Sequence, residues 1–198
     1  MEIEFKSFGK IPRLSRDIVI TEKIDGTNGQ IYIDGDTIMA GSRNRWITPQ
    51  DDNHGFAAWV SANREQLMAL GNGRHFGEWW GAGIQDGYGQ TEKFFSLFNT
   101  RRWCDYTQTP KEYPTQDPRI VHKQERAPMC CKVVPVLYEG VFDTMAAFKC
   151  IVDLQFYGSV AATGHKAEGV IIYHVAANQY FKKTIECDEE PKTIGRKR

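Results

Sequence analysis

Short apolar runs of period two, cut by glycine- and aspartate-rich turns, constrain this chain more than any other feature. Asp17–Lys23 is rich in β-branched residues and reads as a strand. Asp25-Gly26-Thr27-Asn28-Gly29 supplies a turn, and Gln30–Ile33 resumes the alternation, so the pair predicts a hairpin. Asp34-Gly35-Asp36 turns again into a short strand over Thr37–Ala40. Further strands are expected over His75–Trp80, Lys93–Phe98, Val133–Tyr138, Gly169–His174 and Gln179–Ile185. Helical spacing appears twice. Phe56, Ala57, Trp59, Val60, Leu67 and Leu70 mark one helix, which begins after Asp51-Asp52-Asn53 and stops at Gly71-Asn72-Gly73. Met145–Phe156 marks the other, capped by Asp143 or Thr144. Residues 99–130 are polar and aperiodic, which predicts a long surface loop. Strands outnumber helices and do not alternate with them. An α+β domain of mainly antiparallel sheets with flanking helices follows. With 198 residues and neither repeat nor low-complexity linker, one domain over 1–198 is expected, ending in a short polar tail at 186–198.

Composition narrows the function classes. No apolar run approaches the roughly 20 residues of a membrane span, and Met1–Lys6 lacks the apolar stretch of a signal peptide. The cysteines number 5 and form no C-x-x-C pair, so free thiols in a reducing cytoplasm are expected, with no membrane contact. The 5 histidines show no zinc-ligand spacing. Lys plus Arg and Asp plus Glu are 25 each, so no global field draws the chain to nucleic acid. The charges are nevertheless uneven, net −3 over residues 1–99 and +3 over 100–198. Arg101–Lys132 holds seven basic against four acidic residues, with Trp103, Tyr106 and Tyr113 among them. That stretch is either a phosphate-binding surface or a solvated loop.

Chemistry gathers first at Lys23-Ile24-Asp25-Gly26, where a strand runs into a turn. A lysine there projects from a rigid element, and the glycine lets backbone approach a phosphate. On its own the tetrapeptide is more often a solvated lysine before a turn. Four further segments follow in order: Gly41-Ser42-Arg43; Phe76-Gly77-Glu78-Trp79-Trp80-Gly81; Phe94-Phe95-Ser96-Leu97-Phe98-Asn99; and Ala167-Glu168-Gly169-Val170-Ile171-Ile172 ahead of Phe181-Lys182-Lys183-Thr184. Glu78 and Glu168 border apolar strand residues and are expected to face the interior. A carboxylate there is costly unless paired or bound to a cation. Gly81–Gly89 is glycine-rich with no helix after it, so it reads as a mobile flap rather than a dinucleotide loop.

Taken together, these segments resemble the motifs of the covalent nucleotidyltransferase superfamily of ATP-dependent ligases and capping enzymes, over about residues 20–185. Glu22-Lys23-Ile24-x-Gly26-Thr27-Asn28 is especially similar to nick-sealing RNA ligases of phages and RNA-editing ligases. The resemblance implies a nucleotidyltransferase (ATP-grasp-like) domain; such ligases usually add an OB-fold or a helical domain, and the 13 residues after Ile185 are too few for either, so no OB-fold is expected. It implies that Lys23 attacks ATP, with Mg²⁺ or Mn²⁺ present, to give lysyl-AMP. Glu22 would read adenine and Phe98 stack on it, while Arg43 and Glu78 hold ribose and phosphate. Asp25 and Gly26 would line the nucleotide and Asn28 touch the transferred phosphate. Glu168 would organise the metal, and Lys182 or Lys183 would neutralise the α-phosphate. Adjacent strand residues face opposite ways, so one of the two is expected to reach the phosphate, and Lys182 is the one preferred. This differs from the family's K-x-K spacing. RNA ends or a nicked duplex would be the partner, with a second protein supplying an accessory grip. A DNA ligase, a capping-type guanylyltransferase and a catalytically silent nucleic-acid-binding module are the alternatives.

Overall fold

The alternation at Asp17–Lys23 becomes the strand around which one of two sheets is built. The computed structural model describes residues 3–106, 117–122, 126–186 and 188. In chain order the strands are β1 (Asp17–Lys23), β2 (Thr27–Asp34), β3 (Thr37–Gly41), β4 (Trp46–Ile47), β5 (Gly73–Gly81), β6 (Lys93–Leu97), β7 (Cys131–Val133), β8 (Val136–Val141), β9 (Gly169–His174) and β10 (Gln179–Thr184). The helices are α1 (Phe56–Ala62), α2 (Arg64–Leu67), α3 (Thr100–Trp103) and α4 (Thr144–Tyr157). One sheet has the order β10-β9-β1-β8; the other has β4-β3-β2-β5-β6-β7. Every pairing is antiparallel except β6 with β7. The α+β class with antiparallel sheets is as the sequence predicts.

The hairpin expected between Asp17–Lys23 and Gln30–Ile33 does not form. Ile18, Val19 and Ile20 are all buried, so β1 needs cover on both faces and sits between β8 and β9. The turn after it instead carries the chain into the other sheet, where β2 pairs with β3 and β5. The strand expected over Val133–Tyr138 is also two strands in different sheets. Pro135 interrupts it; proline has no N–H for a ladder, and its carbonyl accepts from Glu22 N–H at 3.0 Å. The first predicted helix breaks at Asn63, whose side-chain amide donates to the Trp59 carbonyl at 2.9 Å.

Three cores hold the layers. Gly29, Ile31 and Ile33 alternate inward on β2 beneath α1. Phe56 of α1 rests against Trp79 and Phe95, ring centroids 5.3 and 4.9 Å away. A Cβ at Gly29 would lie 2.8 Å from the Phe56 ring, so glycine sets how closely α1 approaches. Asp143 caps α4 by accepting from Met145 N–H at 2.8 Å, and Cys150, Ile151 and Leu154 pack on Ile18, Ile20 and Val170. Between the sheets, Ile24, Trp80, Tyr88, Val134 and Ala162 form the third cluster. The 99–130 stretch is more than a surface loop: it contains α3, and Trp103, Cys104 and Ile120 are buried. Tyr113 and most of the 186–198 tail lie outside the described residues. No helix among those described is long and apolar enough to cross a membrane.

Candidate active site

Strand register puts Lys23, Thr21 and Val19 on one face of β1, and Glu22, Ile20 and Ile18 on the other. Gly169 of β9 lies directly across from Lys23. The preceding Glu168 carboxylate accepts from Lys23 Nζ in an ion pair in which both side chains are largely buried. Ile24–Gly26 then cross to the second sheet. A Cβ at Gly26 would come within 2.6 Å of the Trp79 carbonyl oxygen and 2.9 Å of Glu78 Cγ, so only glycine lets the turn lie this close. That approach sets Asn28 opposite Glu78, with Asn28 Nδ2 donating to Glu78 Oε2 at 3.1 Å. Asp25 N–H donates to the Tyr88 hydroxyl at 2.7 Å, and Asp86 N–H to Asp25 Oδ2 at 3.3 Å. The glycine-rich segment is therefore pinned to the Lys23 turn rather than swinging free, with Tyr88 buried at φ 48°.

The cluster is rich in negative charge. Burial pushes the Glu78 carboxyl up to about 7; Lys23 opposes that rise, while Glu168 and Asp25 add to it. An acid whose folded pKa is raised contributes stability in full below about 4.5 and loses it as pH climbs through about 7. Glu78→Gln, uncharged throughout, is expected to melt about 2–6 °C above the parent at pH 8. The two should melt alike at pH 5. Thermal melts at both pH values, without nucleotide or metal, check this; a gap that is equal at both would remove the charge explanation.

Glu22 faces away from Lys23 and is buried. Its Oε1 accepts from Ser159 Oγ at 2.5 Å, and Oε2 accepts from the Val160 and Ala161 N–H groups at 2.9 Å each. Burial pushes its carboxyl up, and these donors pull it back. Both oxygens thus serve the Ser159–Ala162 turn. Phe98 is half-buried beside that turn, packed with Ile24, Trp80, Tyr88 and Ala162. Lys182 pairs with Ile171, which pairs with Thr21, so Lys182 shares the Lys23 face of the sheet. Lys183 takes the α4 side, its Nζ 3.0 Å from Asp188 Oδ2. Arg43 is exposed between β3 and β4, and no contact ties it to the cluster among the described residues.

Sequence reasoning missed Tyr88, Ser159 and Asp86. Their one local signal is the glycine-rich run, which permits the turn but does not reveal what Tyr88 touches. Arg101 and Arg102 open the basic Arg101–Lys132 stretch, of which residues 107–116 and 123–125 lie outside the described residues. Arg102 donates to the Leu70 carbonyl and lies over Trp103, while Arg101 pairs with Glu139 at 3.2 Å and covers Tyr106. A surface groove of about 1140 Å³ runs between α4 and β8 and shares no residue with the Lys23 cluster.

The fold is similar to solved structures of a Naegleria gruberi RNA ligase. An apo variant superposes with a TM-score of 0.56 at 20% identity, covering 86% of this chain and 50% of that one. A variant solved with ATP and Mn gives 0.54 at 21%, covering 85% and 48%. One solved with AMP and Mn gives 0.55 at 20%, covering 85% and 49%. The chain thus spans about half the length of the solved chains it matches. Curated proteins yield no match. At these identities the structures speak for the fold alone, whereas the RNA ligase family model matches residues 16–185, most of the sequence. The chain belongs to the RNA ligase family.

Proposed function

We propose that this chain is the nucleotidyltransferase domain of an ATP-dependent RNA ligase that works through lysyl-AMP in the cytoplasm. The observation that carries the reading is the meeting of Lys23, Glu168, Glu78 and Asn28, drawn from both sheets, at one point. The solved relatives held with ATP and Mn or with AMP and Mn support the nucleotide and a divalent metal.

The residues fit such a cation. Glu168 pairs with Lys23, and the Glu78 carboxyl, raised chiefly by burial, also feels the charges of Glu168 and Asp25. Among the described residues no group of three or more His, Cys, Asp or Glu is arranged to hold a metal alone. One or two carboxylates, Glu168 first, would therefore hold it together with phosphate oxygens and water, as suits Mg²⁺ or Mn²⁺. Bound there, the ion supplies charge neutralisation for the triphosphate.

Lys23 Nζ, as the neutral amine, attacks the α-phosphorus. A P–N bond forms, the nitrogen releases a proton to solvent, the bond to pyrophosphate breaks, and pyrophosphate leaves with the electron pair. Lys182 offsets the α-phosphate charge, with Lys183 held back by Asp188. Asn28 contacts the transferred phosphate. Glu78 and Arg43 hold ribose and the other phosphates, and Phe98 stacks on adenine. The adenine-side role of Glu22 is exercised through the Ser159–Ala162 turn that it holds. AMP then passes from Lys23 to an RNA 5′-phosphate, breaking the P–N bond and returning a proton to the amine. Finally a 3′-OH attacks that phosphate, a phosphodiester forms and AMP departs. A protein partner completes the grip on a nicked duplex.

Incubation with labelled ATP and Mg²⁺ or Mn²⁺, followed by denaturing electrophoresis, tests the first step. A covalent, acid-labile adduct is expected from ATP, much less from GTP, and none with chelator. Preferential labelling by GTP would favour capping chemistry instead.

A further inference from the structure

The sheet face that carries Asn28 and Glu78 does not end with them. Along β2 it continues through Gln30 and Tyr32, and along β5 through Phe76 and Arg74; these pair as Gln30 with Phe76 and Tyr32 with Arg74. Met39 of β3 stands across from Tyr32, while Gly41 pairs with both Gln30 and Trp46 of β4. The opposite face, with Ile31, Ile33, His75 and Trp79, is buried. This one is open: Phe76 is 50% exposed and Trp46 40%. From Asn28 to Tyr32 is four strand residues, about 14 Å.

The surface is also preassembled. The Arg74 guanidinium lies 5.0 Å from the Tyr32 ring centroid and 5.4 Å from that of Trp46. The two rings are themselves 6.2 Å apart. Gln30 Oε1 accepts from Arg74 Nη1 at 3.1 Å and holds it in place. Between Glu78 at one end and Asp34 at the other, these strands place no carboxylate on this face, and exposed Arg43 stands on the β3–β4 connection beside it. Exposed rings on a sheet with interleaved arginine are the chemistry that stacks unpaired bases and tracks a phosphate backbone.

We propose that Phe76, Tyr32, Arg74 and Trp46 form a platform on which the unpaired nucleotides next to an RNA phosphate end stack. This rests on the ligase reading of the Lys23 cluster and supplies a strand grip on the β2–β5 sheet face. A flat platform continuous with Asn28 directs the end of the strand toward Lys23, which favours RNA over a protein partner as the occupant.

The test uses the full chain and a 5′-phosphorylated single-stranded RNA with a 3′ fluorophore, read by anisotropy. Trp46→Ala is expected to weaken binding by about tenfold or more, and Trp46→Phe, which keeps a ring, by about threefold or less. Arg74→Gln should lower the slope of log affinity against log salt by about one. Labelling of Lys23 by ATP and the melting temperature should be unchanged for Trp46→Ala. Unchanged RNA affinity in that variant would overturn the platform. So would a loss of labelling in parallel, which would place these residues in the nucleotide pocket. A parent protein that labels but binds no RNA also overturns the platform, leaving the ligase chemistry standing. Trp46-dependent RNA binding without any Lys23 labelling supports the platform and refutes the ligase reading.

Discussion

Replacing Lys23 with alanine is expected to suppress covalent transfer of AMP from ATP by about 10³-fold or more, the scale of losing an enzyme's nucleophile. The variant should keep its fold and lose some stability. Lys23 is the cation paired with Glu168, and its charge opposes the rise in the Glu78 carboxyl. Without it, neighbouring carboxylates lose their counter-charge, at a cost of about 1–3 kcal/mol near pH 8. That cost should shrink toward pH 5, because Glu78 takes up a proton as pH falls below about 7. Gel labelling and melts at the two pH values give both readings. Labelling that persists in Lys23→Ala would place the adduct elsewhere and remove the assignment.

Glu168→Ala should have the second-largest effect, slowing adenylylation about 100-fold even at saturating ATP. Its carboxylate stands beside the nucleophile and is the first candidate to organise a cation on the triphosphate. The role proposed for it belongs to the transition state, so the maximal rate should fall rather than the affinity alone. Single-turnover rates across a range of ATP concentrations separate the two. An unchanged maximal rate with a raised ATP requirement would make Glu168 a binding residue only. Because this substitution also strips Lys23 of its partner, Glu168→Gln is a needed companion. It retains an oxygen acceptor for Lys23 but not the charge, and should be nearly as slow.

Single elements were legible from residue pattern. β1, β9 and the α4 cap at Asp143 follow from alternation and capping chemistry, which act over a few residues. Lys23 at a strand end beside a glycine turn was visible for the same reason. That Lys182 and Lys183 face opposite ways needed only the period of a strand, whereas which of them shares the Lys23 face is set by the register of β10 on β9 and of β9 on β1. Where the local pattern misled, a distant contact intervened. Ile18-Val19-Ile20 looked like one arm of a hairpin, yet a strand buried on both faces takes partners from far along the chain.

The sequence by itself determined most element types, the antiparallel α+β class and the candidate site residues. Tertiary structure alone decided which of them meet. Glu168 reaches Lys23 from 145 residues away, and Asn28 meets Glu78 from 50 away. Tyr88 holds the Lys23 turn, Glu22 is spent on Ser159–Ala161, and Arg102 is spent on Leu70 and Trp103. Periodicity records whether a side chain is buried, which is a property of its own segment. Its partner is set by how two sheets pack at a glycine such as Gly26, where a 2.6 Å approach leaves no room for a side chain, and no local pattern encodes that distance.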